Sequence, residues 1–588
     1  MQLTTTLRLT TLLIGFCWIT NSVTFAQTKA EKIDAFVRQY VANRQFNGAI
    51  LVADKGKVIL KKGYGMANME WNIPNTASTK FRLGSITKQF TSMLIMQLVE
   101  QGKLKLAGKI TDYLPDYPKA TGSKITIHHL LTHTSGIPSY TSFPKFFETM
   151  SRDPYTPDAF VKKFSGLPLE FEPGSKFEYD NSGYFLLGVI IEKATGKSYA
   201  DALKEMILDP LEMKDTGYDL AGPIISKRAS GYEKRSEGYV NAPYLDMTIP
   251  YAAGSLYSTV EDLNRWDQAL YTDKLLADTT LKATMYTPYL NHYAYGWGVE
   301  TIKVGQLKDS LLLIEHSGGI NGFNTLISRI PQDKRLVVLL NNTGGAPLSA
   351  MRKSILNILY NQPVEPSKKS IAELLRKSVL AESADVSKQK FKIWRGGKAY
   401  NLDEDEMNSV GYELMRDGKL NEALTVFTLN AESFPNSFNV YDSRGEAYMA
   451  LGNKPAAIQD YKKSVEINPQ SANGYAKLKE LGAAVEMPKN VAVAPDGATL
   501  QAYVGTYQLA PSFSIVITRD GDQLYGQATN QPRFELYPES KNKFFLKVVD
   551  AQITFVNNGK GEVEQLILHQ NGKDMPGKRV ADSLNSAR

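Results

Sequence analysis

Ser85 and Lys88 stand three residues apart in Phe81-Arg82-Leu83-Gly84-Ser85-Ile86-Thr87-Lys88-Gln89-Phe90, which leads directly into the apolar-periodic run TSMLIMQLVE. With Ser85 at the start of a helix, the two side chains share one face, a single turn apart. A serine hydroxyl is a weak nucleophile until a base takes its proton, and a partly buried lysine of lowered pKa can be that base. A backbone N–H at a helix N-terminus can also face a developing oxyanion. The same Ser-x-x-Lys spacing recurs at Ser142, Ser387 and Ser540 without supporting context, so the spacing by itself identifies nothing.

Two further elements follow in chain order. The segment Glu172-Pro173-Gly174-Ser175-Lys176-Phe177-Glu178-Tyr179-Asp180-Asn181-Ser182-Gly183-Tyr184 supplies Tyr-x-Asn on a turn before a helix, and Glu315-His316-Ser317-Gly318-Gly319 closes a later strand. Together with ITIHHLLTHTSGI (125–137), FEPGSKFEYDNSGYFLLGVIIEKATG (171–196) and AAGSLYSTVEDLNRW (252–266), these resemble the serine β-lactamase and penicillin-binding protein superfamily, in its class C and DD-peptidase branch. The resemblance covers roughly residues 29–361. It implies that Ser85 is the acylated nucleophile and that Lys88 and Tyr179 share proton transfer. By the same resemblance Asn181 orients Lys88 and the substrate amide, His316 contacts substrate, and the N–H groups of Ser85 and Gly319 form the oxyanion hole.

Two departures bear on the substrate. His316 stands where many relatives carry Lys in a Lys-Thr-Gly triplet, replacing a permanent cation with a group often neutral near pH 7. That weakens the case for efficient penicillin turnover and favours D-amino-acid peptidase or esterase activity, which the resemblance associates with His-x-Gly. Asp180, where relatives commonly have Ser, adds an acid beside Tyr179 that would disfavour anionic substrates if it faced the pocket.

The elements that must position these residues read as strands, then helices, then strands. FNGAILVADKGKVILKKGYG (46–65) is a hairpin about Lys55-Gly56, and residues from about 78 to 271 read as mostly helical. Strands return in YGWGVETIKV, SLLLIEHSG and FNTLISRIPQDKRLVVLLNN, the last turning at Pro331 to Lys334. This order predicts an α+β domain whose antiparallel sheet, flanked by helices, joins both ends of the segment around a helical insertion. Tyr293, Tyr295 and Trp297 are expected to pack that sheet, with a substrate-wall role the minor alternative.

After Pro363 a repeat appears. Gly411, Gly418, Ala423, Phe427 and Pro435 are answered by Gly445, Gly452, Ala457, Tyr461 and Pro469, at a constant offset of 34 residues. The period resembles the tetratricopeptide repeat, with flanking helices near 371–380 and 475–481 closing the stack and a protein partner expected on the repeats. Residues 485–499 read as a linker, and 500–588 as a small antiparallel β-barrel-like domain with a turn at Asp520-Gly521. The expected division is therefore 1–26 signal peptide, 28–363 hydrolase, 364–484 helical linker and repeats, 485–499 linker and 500–588 β-domain.

The 588 residues suit several folded domains, and 43% hydrophobic with 22% charged residues exclude a disordered or multispanning chain. A net charge of +7 comes from scattered residues, so nucleic acid is not an expected partner. Residues 1–26 combine Arg8, an apolar stretch and Ala26 as a signal peptide would, which places the protein in the periplasm or outside the cell. The apolar run falls short of the ~20 residues a span needs, and no transmembrane segment is expected in the mature chain. The single cysteine, Cys17, lies in that leader, so cysteine chemistry is excluded from the cleaved protein. His129 and His133 have the spacing of a helical metal pair, but no Glu follows the first, and no metal or other cofactor is expected.

The function expected is thus an acyl-enzyme serine hydrolase acting on D-amino-acid-containing peptides, β-lactams or small esters and amides. The alternative is a sensor or scaffold that binds a β-lactam or peptide without turnover and recruits a partner through the repeats.

Overall fold

Lys55 and Gly56 both have positive φ, 53° and 78°, which is the backbone of a tight two-residue hairpin turn and joins strands Gly48–Asp54 and Lys57–Tyr64. In the computed structural model this hairpin completes a six-stranded antiparallel sheet. Its strand order is Gly298–Ile302, Leu311–Ile320, Phe323–Ile330, Arg335–Asn341, Gly48–Asp54, Lys57–Tyr64. The two ends of the domain meet where Gly48–Asp54 pairs with Arg335–Asn341, as the strand-helix-strand order predicts. The structure describes residues 27–143, 146–469, 471–483, 497–510, 513–521, 523–529, 533–538, 542–546, 551–558, 562–570 and 573–580. The expected signal peptide and most of the expected linker lie outside the described residues, as does Ser540.

Strand Gly48–Asp54 is buried on both faces, and its alternation divides two cores. Ala49, Leu51 and Ala53 join the larger core with Phe90 and Tyr184, while Ile50 and Val52 face helices Lys29–Ala42 and Leu348–Leu359. The larger core contains helices Thr87–Glu100 and Asn181–Thr195, which carry site residues. Residues 78–271 are less helical than their sequence suggests. Short strands Phe81–Arg82, Gly217–Tyr218 and Leu256–Ser258 form a small sheet, and Tyr232–Arg235 pairs with Gly238–Asn241. Runs of two to four residues are too short to show a period, so they are legible only from their partners.

Helices Glu404–Arg416 and Leu420–Ser433 are repeated 34 residues later as Phe438–Ala450 and Lys454–Ile467. The glycines explain the pairing. A Cβ on Gly411 would meet the Phe427 ring at 2.4 Å, and one on Gly445 the Tyr461 ring at 3.1 Å. Helices Ile371–Ala381 and Ala472–Glu480 flank the pairs, and Ala384–Gly396 adds one the repeat pattern does not contain. The helical region is tied to the N-terminal α+β domain through buried Arg376, which reaches Glu237 at 2.9 Å and Asp417 at 2.7 Å.

Eight antiparallel strands close into a C-terminal barrel, with Asp520 and Gly521 turning between Phe513–Asp520 and Gln523–Ala528. Gly497–Tyr503 is helical where the end of a linker and the start of the β-domain are expected. The reason is burial: Leu500 and Tyr503 enter the barrel core, and the Tyr503 ring stacks on Phe555 at 4.1 Å. Among the described residues no helix is long and apolar enough to cross a membrane.

Candidate active site

Gly84, with φ +55°, opens the turn that carries Ser85, a single 3-10 turn at Gly84–Ile86 that runs into helix Thr87–Glu100. Lys88 therefore stands one turn beyond Ser85, as its spacing predicts. Its Nζ lies 3.0 Å from Ser85 Oγ, 2.8 Å from Asn181 Oδ1 and 2.9 Å from the Ala253 carbonyl. Three donors meet three acceptors, so the ammonium form is fully satisfied. Lys88 is nonetheless sealed from solvent, and this desolvation pushes its pKa down to about 7, with Asp180 acting in the opposite direction.

Only one of those three acceptors can reverse its bond. Asn181 Oδ1 and the Ala253 carbonyl oxygen carry no hydrogen, whereas the Ser85 hydroxyl does. A neutral Lys88 keeps two N–H bonds to the fixed acceptors and turns its lone pair toward the Ser85 O–H. The arrangement can thus remove a proton from Oγ with no rearrangement of heavy atoms.

Asn181 is the first residue of helix Asn181–Thr195, and its orientation is held from both ends. Its amide nitrogen donates to Thr141 Oγ1 at 3.1 Å and its backbone N–H to Ser139 Oγ at 3.1 Å. Asp180 is the N-cap of this helix. Its carboxylate accepts the N–H groups of Ser182 and Gly183 at 2.7 and 2.9 Å and the Ser135 hydroxyl at 3.1 Å. Burial raises its pKa to about 7 against those hydrogen bonds. The acid is therefore committed to the helix end and does not face the pocket to repel anions.

Tyr179 lies between the helix and the cleft mouth. Its ring centroid is 4.8 Å from Lys88 Nζ, and its hydroxyl reaches the Ser85 side chain. Burial holds that phenol above its ordinary pKa, and the bond to Ser85 works against the rise. The residue as a whole is 37% exposed. The far side of the Tyr179 ring rests on His133 at 4.2 Å. His133 accepts the Asp180 N–H on Nδ1, so its proton is on Nε2. His129, by contrast, accepts the Thr126 N–H and lies in a short helix that ends before His133.

His316 sits on strand Leu311–Ile320, turned inward and buried. Its Nδ1 lies 2.6 Å from the Ser317 carbonyl oxygen, which can only accept, so Nδ1 carries the proton. Nε2 is then bare and accepts the Tyr293 hydroxyl at 2.8 Å. Burial and the nearby Lys88 lower its pKa to about 4, so this histidine is neutral at physiological pH. Gly318 and Gly84 are glycines for steric reasons. A Cβ on Gly318 would fall 1.9 Å from the Leu83 carbonyl oxygen, and one on Gly84 would fall 2.9 Å from Gly319 N. The strand thus lies directly against the nucleophile turn. Strand Gly298–Ile302 ends opposite Glu315, which leaves residues 316–320 without a partner on that side.

Beside Ser85 is a cleft of about 510 Å³, open to solvent, lined by Asn181, Gly319, Tyr140, Phe147, Leu245 and Ile249 among others. Among the described residues none that line it is charged. Ser85, Lys88, Tyr179, Asn181, His316 and Gly319 are all brought together. Tyr293, expected mainly to pack the sheet, also sets the His316 tautomer. Thr141, Ser139 and the Ala253 carbonyl were not anticipated at all, because a lone hydroxyl or a backbone oxygen leaves no mark in a sequence. Ser387, which shares the Ser-x-x-Lys spacing, is buried against Ser378 and has no such surroundings.

Residues 33–360 match the Beta-lactamase family model, and residues 489–579 match a domain of unknown function, DUF3471. The chain is 32% identical over 361 residues to a penicillin-binding protein of Bacillus subtilis, covering 58% of this chain and 78% of that protein. It is 30% identical over 329 residues to protein flp of Staphylococcus aureus, covering 53% of this chain and 63% of that protein. Among solved structures, a D-amino acid amidase from Ochrobactrum anthropi SV3 is 27% identical with a TM-score of 0.49, covering 56% of this chain and 97% of that one. The chain, through residues 33–360, belongs to the β-lactamase and penicillin-binding protein superfamily of serine hydrolases.

Proposed function

We propose that the protein works outside the cytoplasm as a serine hydrolase that forms an acyl-enzyme on Ser85, with small amides or esters of D-amino acids or their peptides as substrates. The observation that carries this reading is the three-way clamp on Lys88 Nζ, in which Ser85 Oγ alone can give up a hydrogen.

Neutral Lys88 takes the Ser85 proton as Oγ attacks the carbonyl carbon. The resulting oxyanion is held by the N–H groups of Ser85 and Gly319. Tyr179, beside both Oγ and Nζ, passes the proton to the leaving nitrogen or oxygen, and the C–N or C–O bond breaks to leave acyl-Ser85. Water then repeats the sequence in reverse, losing its proton to the same groups and releasing the acid. Asn181 holds Lys88 and presents its amide to the substrate, and His316 borders the leaving-group side. Because the cleft lining is uncharged and His316 neutral, groups next to the scissile bond are best uncharged as well. A carboxylate at that point, as in a penicillin or a peptide ending in D-alanine, meets no fixed cation among the described residues that line the cleft.

The test is a panel of D-phenylalanine amide, a p-nitrophenyl ester, nitrocefin and a D-Ala-D-Ala peptide, with time-resolved mass spectrometry of the protein. The amide and ester should turn over through a transient adduct on Ser85, and Ser85→Ala should lose at least about a thousandfold in rate. A permanent acyl-Ser85 would establish the sensor alternative instead, and hydrolysis untouched by Ser85→Ala would place the activity elsewhere.

A further inference from the structure

Three residues before the nucleophile, Arg82 turns away from the acylation cleft and into a second, polar pocket of about 760 Å³. Arg228 lines the same pocket, and between the two guanidinium groups lies Asp219, which is wholly buried. Arg82 Nε donates to Asp219 Oδ2 at 2.6 Å, and Arg228 Nη1 donates to Asp219 Oδ1. One carboxylate thus serves two permanent cations, so this trio carries a single excess positive charge, while the Asp246 carboxylate lies on the far side of Tyr244, whose hydroxyl it accepts. Each guanidinium has five N–H donors, and among the described residues each makes only that one bond. The side chains keep 19% and 34% of their surface exposed, so unused donors remain within reach of a ligand.

Asn321 joins this pocket to the active site, since it lines both cavities. The uncharged cleft around Ser85 and the Arg82–Arg228 pocket are therefore neighbours, with Asn321, whose Nδ2 donates to the Pro243 carbonyl oxygen at 3.0 Å, between them.

We infer that the Arg82–Arg228 pocket is a substrate subsite for a carboxylate, such as an acidic residue, carried by the substrate at a distance from the scissile bond. A monoanion balances the one unpaired charge, and a planar carboxylate matches the fork of a guanidinium better than a point acceptor would. The inference rests on the hydrolase reading above and specifies it. The substrate is neutral where it reacts and acidic where it is anchored.

The experiment uses the full-length protein and a series of peptide p-nitroanilides built on D-phenylalanine, with Glu or Gln at each of three successive positions on the acyl side. At one position the Glu peptide should exceed its Gln twin in kcat/KM by about tenfold, the worth of a charge-assisted hydrogen-bonded pair. In Arg228→Gln that ratio should fall to near one, and Arg228→Lys should restore part of it. A ratio does not depend on the fraction of folded protein, so loss of fold cannot mimic the result. A ratio at or below one at every position in the wild type, or a preference that survives Arg228→Gln, overturns the subsite.

Calorimetric binding of the same Glu and Gln peptides to Ser85→Ala reads the pocket without any chemistry. If the wild type cleaves none of the series while Glu still binds about tenfold tighter than Gln, the hydrolase reading fails and the anion subsite stands. Cleavage and binding with no preference for Glu leave the hydrolase and remove the subsite.

Discussion

The Tyr293 hydroxyl donates to Nε2 of His316 at 2.8 Å, so the histidine that replaces a lysine of many relatives is held neutral, with both nitrogens occupied. The position cannot supply a cation by a small change of pH, because burial and Lys88 keep its pKa near 4. His316→Lys is expected to restore a fixed charge and to raise the rate of Ser85 acylation by benzylpenicillin by about tenfold, the scale of one charge-assisted hydrogen bond. Mass spectrometry of the acylated protein against time measures it. An acylation rate equal to or below that of the wild type would show that charge at this position does not limit β-lactam recognition.

Lys88 ordinarily titrates near 10.5, and its burial brings it to about 7. Since only the neutral amine can accept the Ser85 proton, kcat/KM for an uncharged ester should rise tenfold per pH unit below about 7 and level off above it. Stability carries the same signature. Between pH 7 and 10.5 the unfolded chain holds a proton on Lys88 that the folded one has released, so stability rises with pH across that window. Below it both forms are protonated and the dependence ends. Comparing urea unfolding of the wild type and Lys88→Met from pH 6 to 10 isolates the slope. Equal slopes in the two proteins would mean that the lysine is charged in the folded state.

Gly84→Ala should be among the most damaging single changes near the site. The substitution puts a Cβ 2.9 Å from both the nitrogen and the oxygen of Gly319 and forces a side chain onto φ +55°. Ser85 and Gly319 must then separate, and losing one oxyanion donor costs about a hundredfold or more in kcat. Steady-state kinetics with circular dichroism as a fold control decides the matter. A variant that keeps both its fold and its kcat would remove Gly319 from the oxyanion role.

How far such a site can be read from sequence depends on whether a residue's role survives in its type and spacing. Ser85 and Lys88 are legible because one helical turn fixes their separation, and the strand-helix-strand order implies a sheet that joins both ends of the segment, which the pairing of Gly48–Asp54 with Arg335–Asn341 makes specific. The orientation of Asp180 is not, because its neighbours Ser135 and His133 come from a loop some 45 residues earlier. The neutrality of His316 is half legible: its residue type makes neutrality available, and burial together with a tyrosine that only the fold brings near enforces it. The helix at Gly497–Tyr503 is hidden for a related reason, since seven residues of low polarity reveal a helix only when a barrel receives them.

The repeat offers a last comparison, because the same sequence position is filled at two different clearances. Ala gains about 1 kcal/mol over Gly in a helix interior, whatever the neighbours. At Gly445 the nearest ring atom is 3.1 Å from the new methyl, so Tyr461 needs to give by only a few tenths of an ångström, and Gly445→Ala should be close to neutral. At Gly411 the Phe427 ring lies at 2.4 Å, and it is wedged in a core with Val410, Leu414 and Val426. Helices Glu404–Arg416 and Leu420–Ser433 must then move apart, at an overpacking cost of about 1–3 kcal/mol that exceeds the propensity gain. Hydrogen exchange of these helices in the full chain reads each hairpin separately, with Gly411→Ala expected to lose protection in the first pair and Gly445→Ala to keep it in the second. The reverse order would mean that the approach of the aromatic ring does not select glycine at these positions.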